Sequence, residues 1–175
     1  MTTLILVHPG SVFTSARSQI DPRQFEACVD GMEEALERCT GLVVIDGSLS
    51  DGIPAEFDKL ISARLADLAS KDCPALRVWG CDSGEPPYPA WRPFGDVEPV
   101  HDGQEAAAAA VAPQLYGEGV ILCTGAWATR DDSGGCVNSV RDEIAVCLRV
   151  VSPVFIDRSA VFEDYLEWGQ GDPVP

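Results

Sequence analysis

The chain has 175 residues, enough for one domain with a sizeable core, and its 46% apolar and 23% charged residues are ordinary for a globular protein. A formal charge of −16, from 28 acidic and 12 basic residues, excludes non-specific nucleic-acid binding and works against anionic membranes. No apolar run approaches the roughly 20 residues that span a bilayer. The opening MTTLILVHPG has no basic n-region and too short an apolar run for a secretory signal, so the expected location is cytoplasmic.

In chain order, Leu4–His8 is a continuous apolar run, the pattern of a strand buried on both faces. Asp21 caps a helix with Pro22 at its first position, whose apolar stripe is Phe25, Cys28, Val29, Met32, Leu36 and Cys39, and Gly41 stops it. Leu42–Asp46 is the second strand, and Pro54 opens a second helix carrying Phe57, Leu60, Ile61, Leu65 and Leu68 on one face. Ala75–Gly80 is a third strand, less apolar and so nearer an edge. A proline-rich excursion over 82–103 follows, too rich in proline for regular structure, with aromatics that pin it to the surface.

The alanine-rich stretch from Gln104 is a third helix, broken near Pro113. Gly119–Gly125 is the fourth strand, Cys136 to Val150 the fourth helix with Val137, Val140, Ile144, Cys147 and Leu148 inward, and Pro153–Asp157 the fifth strand. Five alternations of strand and helix predict a three-layer α/β sandwich around a five-stranded, mostly parallel sheet, either flavodoxin-like or Rossmann-like. Residues 1–165 form one domain, and 166–175 an acidic tail.

Seven cysteines, an odd number without a CxxC pair, argue against a disulfide framework. No His/Cys spacing suggests a zinc site, and the sequence calls for no metal or cofactor. Cys28, Cys39, Cys123 and Cys147 read as small buried hydrophobes, whereas Cys81 and Cys136 lie in loops and are the reactive-thiol candidates.

Open parallel sheets bind ligands outside the carboxyl ends of their strands. Those ends here are His8-Pro9-Gly10-Ser11, Asp46-Gly47-Ser48, Gly80-Cys81-Asp82-Ser83-Gly84, Thr124-Gly125-Ala126-Trp127 and Asp157-Arg158-Ser159. Each carries small residues, hydroxyls or carboxylates, which turns and helix caps also require. After the first strand, Gly10 permits close backbone approach, Ser11 offers a donor, and His8 is placed as a general base, without GxGxxG or Walker A spacing. Asp46 and Asp82 are the polar ends of the second and third strands. The stretch ILCTGAWATRDDSGGC after the fourth strand is the richest. Asp131 and Asp132 precede a helix start whose dipole favours negative charge, and Cys136 sits where that dipole would favour a thiolate. Glu143 lies two turns further along the same helix.

The stretch from GVILCTGAW through DSGGCVNSVRDEIAVCLRVVSPVFID resembles the nucleoside 2-deoxyribosyltransferase-like proteins. The resemblance implies Glu143 as nucleophile or general base, Ser133-Gly134 as the sugar or phosphate turn, and LILVHPGS as the loop after the first strand. The same stretch resembles isochorismatase-type cysteine hydrolases through Thr129 and Cys136-Val137, which implies Cys136 as nucleophile. That family has an Asp at the end of strand one and a Lys after a later strand, and this chain has His8 and no lysine at those places.

The leading expectation is an enzyme or enzyme-like protein cleaving or transferring the N-glycosidic bond of a nucleoside or nucleotide, or of a related small anionic metabolite. Glu143 would attack or activate water, Asp131 or Asp132 would assist proton transfer, and Trp127 would stack on the base. A cysteine hydrolase through Cys136 is the second expectation. A non-catalytic acidic binding or inhibitor protein is the third; a basic protein partner and a homodimer are the macromolecular associations to be expected.

Overall fold

The computed structural model describes residues 1–81, 86, 91–117, 119–149 and 153–163. In chain order the elements are β1 (Thr2–Val7), α1 (Pro9–Ser11), α2 (Pro22–Arg38), β2 (Gly41–Asp46), α3 (Ala55–Ala69), β3 (Ala75–Gly80), β4 (Val100–His101), α4 (Gln104–Val111), β5 (Val120–Gly125), β6 (Ala128–Thr129), α5 (Cys136–Leu148), β7 (Val154–Ile156) and β8 (Phe162–Glu163). Asp82 and the 166–175 tail lie outside the described residues.

The strands form a six-stranded sheet in the order β4-β3-β2-β1-β5-β7, with every ladder parallel. The chain runs outward from β1 through β2 and β3, then returns to place β5 and β7 on the other side of β1. That is the Rossmann order, not the flavodoxin order. The sheet has one strand more than the five expected. The extra strand, β4, belongs to the proline-rich excursion, where Trp79 N donates to the Pro99 carbonyl (2.7 Å) and Gly80 pairs with His101. A two-residue strand has no room for periodicity, so its sequence carries no signal. A second, two-stranded sheet pairs β6 with β8 beyond the carboxyl ends of β5 and β7.

Right-handed crossovers put helices for leftward and rightward steps on opposite faces. On one face, Leu4, Leu6, Leu42 and Val44 pack against Cys28, Met32 and Leu36 of α2 and Phe57, Ile61 and Leu65 of α3. On the other, Ile5, Val7, Val43 and Ile45 pack against Ala107, Ala108 and Val111 of α4 and Val137, Val140 and Ile144 of α5. Burial on both faces is why these strands read as continuous apolar runs.

Local signals set the helix ends. The Asp21 carboxylate accepts from Arg23 N (2.9 Å) with Pro22 behind it, the cap read from the sequence. The alanines of α4 let it sit close to the sheet: a methyl group on Gly80 would fall 2.6 Å from the Ala107 Cβ. Pro113 does break that helix, which tightens into a 3-10 turn over Ala112–Leu115. Among the described residues no helix is long and apolar enough to cross a membrane.

Candidate functional site

The strand order reverses between β1 and β5, so the switch point of the sheet lies at their carboxyl ends. Both chain exits there take left-handed backbone: His8 has φ 47° and Trp127 has φ 65°. Of the three other such residues, Asp72 and Arg149 close helices α3 and α5, and Asp132 (φ 60°) lies in the turn after β6. His8 and Trp127 cap no helix end in that way, and a bulky Trp in this region is an outlier. Gly125, with φ 130°, lets β5 press against the Val7 carbonyl, which accepts from Ala126 N (3.1 Å).

The loop after β5 is built from its own hydrogen bonds. The buried Asn138 on α5 accepts from Thr129 N (2.8 Å) and donates to the Thr129 carbonyl (3.4 Å) and to Asp132 (3.0 Å). Arg141 donates to the same Asp132 oxygen (2.7 Å). Asp132 therefore ties the loop to α5. The Asp131 carboxylate accepts from Ser133 N (3.1 Å) and Oγ (2.7 Å), and these bonds hold it below the usual carboxylate range. The Gly134 amide donates to Thr129 Oγ1 (3.0 Å). A side chain on Gly135, φ 93°, would strike the Trp127 carbonyl, which accepts from Val137 N (3.1 Å). Arg130 lies over the Phe162 ring, 5.4 Å from its centroid.

On the other side of the switch point, the His8 imidazole crosses the ends of β2 and β3. Its Nε2 lies 3.0 Å from the Gly80 carbonyl, and a methyl group on Gly47 would fall 2.8 Å from the ring. Gly10 does serve close backbone approach, but to the Leu49 carbonyl of the neighbouring loop. Ser11 N donates to the His8 carbonyl (2.9 Å), opening α1 and the wide π turn Val12–Ala16 that follows it. Such turns recur at functional sites.

The titratable groups divide the candidates. The Cys136 thiol donates to the Ala126 carbonyl, and burial, reinforced by the charges of Glu163 and Glu105, pushes it up to about 12. A thiolate is thus disfavoured despite the helix N-terminus. Glu143 accepts from Cys147 Sγ (3.3 Å), one turn further from the rim, and burial together with that carboxylate pushes the Cys147 thiol up. Seven residues of helix, about 10 Å, separate Glu143 from Cys136. The fold therefore gathers His8, Gly10, Ser11, Trp127, Asp132, Ser133, Gly134 and Cys136 at the rim, and sets Glu143 apart from them.

Glu163 was not singled out by sequence. It stands in β8 opposite Thr129, and burial raises its carboxyl. Among the described residues it is the carboxylate whose affinity for a proton is increased. Its signal, an acid at the end of VFE, was hidden in an aromatic, acidic tail. Only the β6–β8 pairing brings it to the rim.

Asp46 reaches the carboxyl end of β2 as expected, yet its side chain turns to a separate network. It is fully buried and accepts from Arg77 Nε (2.6 Å), Arg77 Nη2 (3.4 Å) and Trp91 Nε1 (2.9 Å). Arg77 also donates to Asp58 (2.8 Å). Burial opposes the charge on Arg77, but Asp46 and Asp58 outweigh it and hold the guanidinium above its ordinary value. Trp91 packs edge-on against Trp79, with centroids 6.0 Å apart, so Asp46 anchors the excursion to the sheet. No cluster of three His, Cys, Asp or Glu among the described residues is placed to hold a metal ion. No protein-family model, curated protein or solved structure matches this chain.

Proposed function

We propose that this protein binds a nucleoside-like metabolite across the carboxyl ends of β1 and β5 and cleaves or transfers its N-glycosidic bond. In this reading Glu163, not Glu143, is the proton-transfer carboxyl. The observation that carries the proposal is a carboxyl raised by burial beside the switch point of a Rossmann-order sheet. A carboxyl in such surroundings holds a proton closer to neutral pH and can pass it to a leaving base.

The charge of the rim favours a nucleoside over a nucleotide. Glu105, Glu163 and Asp131 repel phosphate, whereas carboxylates accept well from ribose hydroxyls. Trp127, half-buried at the end of β5, offers an aromatic edge for a base. In hydrolysis, water oxygen adds to the anomeric carbon, the C–N bond breaks, and the departing base takes the proton.

The test is base release from a panel of nucleosides and nucleoside monophosphates, followed by chromatography, with thermal shift reporting binding. Nucleosides should be turned over faster than their monophosphates. Glu163→Gln should lower turnover by about a hundredfold or more, while Glu143→Gln should leave it within about threefold. No binding and no base release across the panel would sink the proposal.

A further inference from the structure

Among the described residues, the crossovers leave half of one sheet face without a helix. α2 and α3 cover β1 to β3 on that face, while α4 and α5 lie on the opposite one. Over β5 and β7 a groove of about 550 Å³ remains. Its floor is Leu4 and Leu122, and its wall is Ala27, Gly31 and Ala35 of α2. Phe155 is the ladder partner of Leu122, so alternation puts it on the same face, where it is 53% exposed. The three small wall residues are spaced by four, so they form one smooth ridge along α2.

The surroundings of this groove are acidic. The groove is lined by Glu34 and Asp157 against Arg38 and Arg158, with Arg38 already paired to Glu34 (2.6 Å), and the exposed side of α2 beside it adds Glu26, Asp30, Glu33 and Glu37 against Arg23. The whole chain carries −16. A second copy would bring the same charge to the contact. The chain's own residues 164–175 add Asp164, Glu167 and Asp172 and no lysine or arginine. Like charge disfavours both occupants.

We propose that this face is a docking site for a basic amphipathic helix of a partner protein. The helix would lie alongside α2, with its apolar side on Leu122 and Phe155 and its Lys or Arg residues facing the acids of α2. Two strand spacings are about 10 Å, the width of one helix. A smooth ridge of small residues admits close helix packing, and an apolar floor with a charged border is the usual form of helix-in-groove recognition. This surface lies on the sheet face, apart from the rim, and does not depend on the nucleoside reading.

The probe is a labelled amphipathic peptide of about five helical turns, with leucine on one face and lysine on the other, followed by fluorescence anisotropy. A counterpart with glutamate for lysine is the control. The lysine peptide should bind at least about tenfold more tightly than its counterpart and weaken with added salt. Phe155→Asp should weaken binding by about tenfold or more even though it adds negative charge. Ala27→Trp, on the exposed wall, should weaken it as well, and circular dichroism checks that both variants fold.

Unchanged or tighter binding by Phe155→Asp would mean that charge alone is at work, and would overturn the proposal. About tenfold tighter binding after deletion of residues 164–175 would show that the chain itself fills the groove. A concentration-dependent dimer abolished by Phe155→Asp would show a second copy there. Either result also overturns the proposal.

Discussion

Replacing Arg77 by methionine removes the cation from a carboxylate that has no exposure to water. Asp46 would keep one partner, the Trp91 indole N–H at 2.9 Å, and lose both guanidinium bonds. Breaking a buried ion pair on one side costs about 3–5 kcal/mol, because the remaining charge is uncompensated. Asp58 contributes little to this cost, since it is 45% exposed and regains water. In a domain of this size about 1 kcal/mol moves the melting temperature by roughly 2–4 °C, so Arg77→Met should melt roughly 6–20 °C lower. The double variant Asp46→Leu with Arg77→Met removes both charges and should recover most of the loss, leaving about 1–3 kcal/mol for the orphaned indole N–H. Thermal and urea unfolding of both single variants and the double close the cycle. Two results refute the reasoning: Arg77→Met melting within about 2 °C of the parent, or a double variant no more stable than Arg77→Met.

Two further outcomes follow from the rim. Burial raises Glu163 in the folded state, so the native protein binds a proton there more tightly than the unfolded chain. Its contribution to stability falls as pH rises from the unfolded carboxyl value through the raised folded one. Glu163→Gln should therefore match the parent in acid and gain on it toward neutral pH, and parallel melts across that range with no divergence would contradict the assignment. For Cys136, a shift from 9.0 to about 12 lowers the thiolate fraction at neutral pH about a thousandfold. A thiol reagent should label half-buried Cys73 faster than Cys136, and Cys136 only on unfolding, as read by mass spectrometry of the labelled peptides. Rapid labelling of native Cys136 would restore the cysteine-nucleophile reading.

The layers of this fold are legible because each is written in a short window. Leu42–Ile45 is apolar throughout because both faces of its strand are covered, and Asp21-Pro22 marks a helix start through one side-chain bond and a fixed φ. Placing ILCTGAWATRDDSGGC at the carboxyl end of a central strand follows from the same alternation. The order of the strands is not written locally. Flavodoxin and Rossmann sheets share the same alternation and differ only in where the chain steps back across β1. β4, β6 and β8 are pairs of residues whose strand character comes from their partners.

The roles of the rim residues lie at the same tertiary level. Type and position made Asp132, Cys136 and Glu143 natural candidates. Asn138 and Arg141 occupy Asp132, burial holds the proton on Cys136, and Cys147 engages Glu143 a turn further from the rim. Asp46 likewise turns to Arg77, thirty-one residues away. Hydrogen bonding and desolvation depend on which atoms lie within a few ångströms, and chain separation does not encode that. The sequence by itself determined which segments are buried and where helices begin. The tertiary structure decided which strands adjoin, which carboxylates are consumed by neighbours, and which half of a sheet face the described residues leave open.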